Sequence, residues 1–303
     1  MNNGTLMLNF SSVADNRAVY GAGIYSSNIL HINFSTIAGN VADEDGGGLY
    51  VYYSDPVVSL GSVDPLGLFQ LQMVNSTLGD NSADENGGGL YIHSKSVNSN
   101  TILNCSMTNV TVGINFGGTN GSGIFSFAEA DGSSLSKIFL AVKNTLLHSL
   151  AGVNYFSNTS GAAASIELNR DYTICGDASM PVSGVGNLNS TDPQITPLAN
   201  NGGLTETMAT AMGSPAINAG TNSGILHTTD QRGFPHVNEP DIGAFENGSV
   251  TPLLVELKVF LEGAYDTTPH EMRDNLKVPI RSPYPQDPRT IPGVPDDIVD
   301  WVL

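Results

Sequence analysis

One recurring motif limits what this chain can fold into: Gly46-Gly47-Gly48-Leu49-Tyr50, with near-copies at Gly21-Ala22-Gly23-Ile24-Tyr25, Gly87-Gly88-Gly89-Leu90-Tyr91 and Gly121-Ser122-Gly123-Ile124-Phe125. An Asn precedes every copy at a nearly fixed distance. Asn40, Asn81 and Asn115 stand eight residues before the last Gly of their copies, and Asn16 stands seven before. With each Asn as position zero, the preceding residues fall into rows. Leu6, Leu30, Leu71 and Cys105 share position minus ten, and Leu8, Ile32, Met73 and Met107 share minus eight. Val13, Ile37, Leu78 and Val112 share minus three, next to a hydroxyl row of Ser12, Thr36, Thr77 and Thr111. At minus six stand Phe10 and Phe34, then Asn75 and Asn109.

The spacing between successive Asn residues is 24, 41 and 34, so the shortest interval is the bare unit and the others carry insertions. We place one insertion after Tyr50, running from Val51 to about Phe69, and the second after Tyr91, from His93 to about Asn100. Apolar and polar residues alternate in Leu6-Met7-Leu8-Asn9 and Leu30-His31-Ile32-Asn33, which is the period of a strand. A unit this short cannot bury its own apolar side, so successive units must cover one another. The expected fold is all-β, a right-handed parallel β-helix over residues 1–247. In such a fold equal positions of neighbouring units lie about 4.8 Å apart.

Each repeated residue type then has a physical reason. Asn16, Asn40, Asn81 and Asn115 are expected to form a ladder of amides at a corner, with the left-handed backbone that Asn tolerates. The glycines allow a positive-φ turn into the next strand. Ile24, Leu49, Leu90 and Ile124 should point into the core, and the aromatic residue after each should pack outside. A fifth unit is read at 140–147, with Leu150 in place of the ladder Asn, so the ladder stops there. From Ala164 to Ile195 the expectation is irregular strands between Gly-rich turns.

Composition excludes several classes of function. Charged residues are only 13% of the chain, while 34 Gly and 16 Pro suit a turn-rich, strand-rich fold. The net charge of −18, with 11 Lys and Arg in no cluster, argues against nucleic acid and against anionic membrane surfaces. No apolar run is long enough to span a membrane as a helix. Two cysteines are too few for a disulfide scaffold; Cys105, in an apolar row, reads as a buried thiol.

The repeat Asn3-Gly4-Thr5-Leu6 to Asn16, with the Gly-Ala-Gly-Ile-Tyr that follows, resembles bacterial secreted and surface right-handed β-helix proteins, including those with repeats like the polymorphic outer-membrane proteins. A later run is similar to the C-terminal part of the same group: Gly213-Ser214-Pro215-Ala216-Ile217-Asn218-Ala219-Gly220, Asp230-Gln231-Arg232-Gly233 and Asp241-Ile242-Gly243-Ala244-Phe245-Glu246. The resemblance implies an exported solenoid at the cell surface or outer membrane, adhesin-like, with a surface glycan or protein as partner. Met1-Asn2-Asn3-Gly4 carries neither the basic start nor the apolar core of a signal peptide, and the first repeat begins at once. We therefore read the chain as a piece of a longer one. Residues 248–303 change to a Pro-rich composition and read as the start of a second, β module.

Candidate chemistry is sparse. Asp43-Glu44-Asp45 and Asp84-Glu85 each precede a Gly triplet and stack in the assigned register. Parallel β-helices include polysaccharide lyases and glycoside hydrolases, so an acidic face near Asp43 and Asp84 is the alternative reading, a carbohydrate-active enzyme. Such an enzyme also needs a basic partner, and Arg17, Lys95, Lys137, Lys143 and Arg170 are scattered over different positions. Asp230, Arg232, Asp241 and Glu246 read as an ion-paired closing element. No catalytic, cofactor-binding or metal-ligating residue is assigned, and no cofactor is expected.

Overall fold

The computed structural model describes residues 4–54 and 69–249, together with the short pair 265–266 and 271–272. By internal contacts the chain divides into two compact units, Met1–Pro252 and Leu253–Leu303. In the second, Tyr265–Asp266 pairs antiparallel with Glu271–Met272. The rest of the expected second module, and most of the first insertion, lie outside the described residues.

The first unit is all-β, and every pairing between its strands is parallel. Each repeat contributes to three sheets in turn. The first sheet has 11 strands; its order starts Leu6–Asn9, Leu30–Asn33, Leu71–Gly79 and Thr101–Gly113. The second holds Arg17–Ala18, Val41–Ala42, Ser82–Ala83 and Phe116–Gly117. The third holds Ile24–Ser26, Leu49–Ser54, Leu90–Ser96, Ile124–Ala130 and Tyr155–Ser160. No helix occurs among the described residues.

The pairing register matches the rows read from sequence. Leu6 pairs with Leu30, Leu30 with Leu71, and Leu71 with Cys105. Val13 pairs with Ile37, Ile37 with Leu78, and Leu78 with Val112. Leu30, Ile32, Leu71, Met73 and Met107 are fully buried and belong to one continuous core. Each such side chain stabilises the fold by about 1.5–3 kcal/mol relative to an exposed one.

The regular stacking runs further than the sequence suggested. Ser136–Lys143 pairs with Thr101–Gly113 on one side and Ala164–Asp171 on the other, over eight residues in register. The expectation of irregular strands from Ala164 is therefore corrected at its start. Leu168 and Arg170 take the places of Cys105 and Met107 two repeats on. The apolar row ends in Arg170, only 3% exposed, whose Nη2 donates to Asn189 Oδ1 at 2.7 Å while its Nε and Nη1 have no partner among the described residues. Polar substitutions of this kind hide the period.

The ladder also forms, with one correction to its cause. Asn16 Nδ2 donates to Asn40 Oδ1 at 2.9 Å, Asn40 Nδ2 to Asn81 Oδ1 at 2.9 Å, and Asn81 Nδ2 to Asn115 Oδ1 at 3.0 Å. The backbone N–H of each donates to the same oxygen of the next, at 3.0–3.1 Å. None of the four has positive φ. The left-handed residues are the ones just before them, Asp15, Gly39, Asp80 and Ile114, with φ of 57°, 66°, 56° and 55°. A second left-handed corner lies at minus six, in Phe10, Phe34, Asn75 and Asn109. The ladder Asn is thus selected for its amide, which satisfies corner groups that no strand pairs.

The three glycines of a triplet have different tasks. Gly46 and Gly87 have φ of 70° and 65° and make the turn. Gly47 and Gly88 are glycines for lack of space: a Cβ on Gly88 would stand 2.1 Å from the Phe116 carbonyl oxygen.

Beyond Ile195 the chain leaves the stack and lies along the outer face of the first sheet. Asn75 Nδ2 donates to the Thr229 carbonyl at 2.7 Å, Thr77 Oγ1 to Gln231 Oε1 at 2.7 Å, and the Ala244 N–H to Thr111 Oγ1 at 2.9 Å. These are the hydroxyl and minus-six rows of the repeat, now used as anchoring points.

Candidate functional site

The acidic face comes first. Arg17 Nη2 stands 2.6 Å from Asp43 Oδ1, with the two side chains 71% and 42% exposed. An exposed pair of this kind contributes little to stability. Glu44 accepts a hydrogen bond from the Tyr20 hydroxyl, which pushes that hydroxyl up to about 12. Asp45 Oδ1 accepts from Asn86 through its backbone N–H at 3.1 Å and through Nδ2 at 2.9 Å, while burial raises its carboxyl. Asp84 sits in the backbone ladder, its N–H donating to the Ala42 carbonyl. The carboxylates of Asp43, Glu44 and Asp45 are therefore each engaged with a different partner. Among the described residues no three His, Cys, Asp or Glu side chains are placed to hold a metal ion.

The second cluster is a buried knot. Arg232 Nη2 lies 2.7 Å from Asp230 Oδ2, with both side chains at most 5% exposed. Its guanidinium is packed against Phe234 and Phe245, at 4.3 and 3.8 Å from the ring centroids. Glu246 accepts from the N–H groups of Val237 and Asp241, and Asp241 from those of Asn218 and Asn247. Burial raises both carboxyls, Glu246 to about 7. Gln231, on the same turn, donates through Nε2 to Thr36 Oγ1 and Thr205 Oγ1. The polar atoms of this cluster are spent on backbone groups and on docking the closing segment, which leaves none aimed at a ligand.

The outer face of the third sheet carries an aromatic stack. Tyr25, Tyr50, Tyr91, Phe125 and Phe156 follow one another at 5.1, 4.8, 4.9 and 5.6 Å, with interplanar angles of 7°, 3°, 22° and 10°. Sugar binding by stacking needs a free ring face, and here the faces cover one another. Beside this row His93 lies between Tyr52 and Phe127, at 5.0 Å from each ring. Burial lowers its imidazole to about 4, against the opposing influence of Glu129 at 3.4 Å. This is a neutral packing histidine at physiological pH. Cys105 and Cys175 are both free and buried, and burial raises both thiols.

What the sequence did not reveal is a groove of about 420 Å³ between the outer face of the first sheet and the closing segment. Its floor is a lattice of two rows. Gln72, Ser106 and Ala141 occupy one, each paired to the next in the parallel register; Val74, Thr108 and Lys143 occupy the other. Phe69, Gly224 and Leu226 also line it. Lys143 Nζ donates to the Ser223 carbonyl at the edge. Among the described residues no carboxylate or histidine lines the groove. The repeat pattern carried the floor residues, since they are the outward positions between the minus-ten and minus-six rows. The wall comes from residues some 80 positions later (Lys143 to Ser223 spans 80), which no local pattern connects.

No protein-family model matches the chain, and neither curated proteins nor solved structures gave a match.

Proposed function

We propose that the repeat region is a right-handed parallel β-helix from an exported or cell-surface bacterial protein, adhesin-like and non-catalytic, which binds a glycan or protein along its side. Support for the fold comes from strands that return to the same three sheets in a constant register, unit after unit. Support for binding without catalysis rests on one observation above the others. The groove is lined by an amide, two hydroxyls, one ammonium and apolar surface, a set that recognises but carries no acid and base pair. Glycoside hydrolysis requires two carboxyl groups flanking the scissile bond, and a lyase requires a base with its proton off. Lys143, the one titratable group here, is held at a carbonyl as a donor. At the acidic face near Asp43 and Asp84, the site that an enzyme reading would use, the carboxylates of Asp43, Glu44 and Asp45 are committed to Arg17, Tyr20 and Asn86.

The test is a combined screen of the purified protein. It is exposed to glycan and protein arrays for binding, and to acidic and neutral polysaccharides for release of reducing ends or unsaturated products. Saturable binding with no product release is the expected result. Product release that disappears in Asp43→Ala and Asp84→Ala would overturn the non-catalytic reading.

A further inference from the structure

Resting on that binding reading, we propose that the groove over the first sheet is a subsite for a linear, uncharged polysaccharide, bound along the stacking direction. The first warrant is spacing. Gln72 and Ser106 occupy matched positions on adjacent parallel strands, as do Val74 and Thr108, so side-chain positions along the groove floor recur about every 4.8 Å. That is close to the advance of one sugar unit in an extended chain with equatorial linkages. An extended peptide strand advances only about 3.3 Å per residue and would fall out of step within two units.

The second warrant is free hydrogen-bonding capacity. Elsewhere on the outer faces equivalent polar side chains bond one another, as Asn33 does with Asn9 at 3.0 Å and Lys95 with Glu129 at 3.0 Å. The side chains of Gln72, Ser106 and Thr108 are half-buried, yet they make no hydrogen bond among the described residues. Their donors and acceptors open onto the groove and are free to bond a ligand in place of water. Amide and hydroxyl groups interleaved with the Val74 and Ala141 side chains match a sugar, whose hydroxyls and C–H faces alternate.

The third warrant is charge. Among the described residues that line the groove the only ion is Lys143, already donating to Ser223, and the chain carries a net charge of −18. A polyanion approaching this surface meets repulsion that one lysine does not offset. The groove volume, about 420 Å³, lies within the usual range for small-ligand sites and accommodates a few sugar units.

Calorimetric titration of the whole chain with β-1,4-linked hexasaccharides of glucose, xylose and N-acetylglucosamine, and with a galacturonate hexamer, tests this. At least one neutral hexamer should bind saturably. The uronate should bind at least tenfold more weakly at low salt, with the gap narrowing as salt is added. Ala141→Trp, which fills the groove from an outward position, should weaken neutral binding by more than tenfold. The double change Ser106→Ala with Thr108→Val, which removes the hydroxyls without filling space, should weaken it about tenfold. Thermal melts show whether each variant is folded, and the two changes act through opposite effects on volume. Three results would overturn the proposal: no saturable binding of any neutral hexamer, binding unchanged in both folded variants, or tighter binding of the uronate. Binding to another glycan or protein that survives Ala141→Trp would sink the groove while leaving the broader binding reading intact.

Discussion

At the scale of single residues, the ladder Asn shows how one side chain can do what no backbone pairing does. Asn81 Oδ1 accepts from the Asn40 N–H at 3.1 Å and from Asn40 Nδ2 at 2.9 Å, while its own Nδ2 donates to the Ile37 carbonyl and to Asn115 Oδ1. All of this happens at 1% exposure. Asn81→Ala leaves several buried groups without partners and should cost about 3 kcal/mol in urea unfolding. Asn16→Ala, at the exposed first position of the ladder, should cost about 1 kcal/mol or less. Equal losses at the two positions would mean that burial does not set the ladder's contribution. The Asn ladder was legible in the sequence because its members repeat with almost constant offset from the glycines. The backbone role assigned to it was not, because φ depends on which of two adjacent corner residues makes the turn, and composition alone does not distinguish them.

At the scale of elements, the Gly triplets decide how close successive units can approach. Gly88 faces backbone: its missing Cβ would meet the Phe116 oxygen at 2.1 Å and the Phe116 carbonyl carbon at 2.3 Å. Backbone cannot swing aside as a side chain does, so Gly88→Ala should cost about 3 kcal/mol and lower the melting temperature accordingly. Gly132 gives the contrast, with φ of +64° but open space around it. Gly132→Ala should cost only about 1 kcal/mol, the strain of a left-handed alanine. If both substitutions cost the same, steric approach is not what the middle glycine provides. The strands themselves were readable wherever apolar rows continued. They became unreadable at Ala164–Asp171, where Arg170 occupies a row that is apolar in the earlier units. The fully buried Asn144, at minus six in the fifth unit read from sequence, extends a second ladder from Asn75 and Asn109.

At the scale of the first unit, stability depends on a closing segment that packs across the sheet through long-range hydrogen bonds. Its knot contains Glu246, whose carboxyl burial raises to about 7, close to the carboxyls of Asp230 and Asp241. The unfolded chain releases that proton near pH 4.5, whereas the folded chain holds it until about pH 7. The stabilisation is thus complete below about pH 4.5 and is lost as pH rises toward 7; the raised carboxyl of Asp241 acts in the same direction. The melting temperature should therefore fall across that window, on the order of a few degrees, relative to that of Glu246→Gln. His93, lowered from 6.5 to about 4, acts with the opposite sign over much of the same window, and Asp177 does so at lower pH, so the comparison is with Glu246→Gln. A pH profile for that variant parallel to the parent's would dismiss the role of Glu246.

The sequence by itself determined the register: rows of Leu, Ile, Val, Asn and Gly recur because identical environments are met once per repeat, and stacking demands the same residue type at the same place. It also determined the structural role of the ladder amides and the repeated glycines, which recur at one place in each unit. Only the tertiary structure decided where the molecule has space. The groove exists because residues 224–226 pass over a floor formed by Gln72, Ser106, Thr108 and Lys143. A wall and a floor so far apart along the chain share no period, and their meeting is fixed by hydrogen bonds such as those of Gln231 and Asn144, which leave no local mark in the sequence.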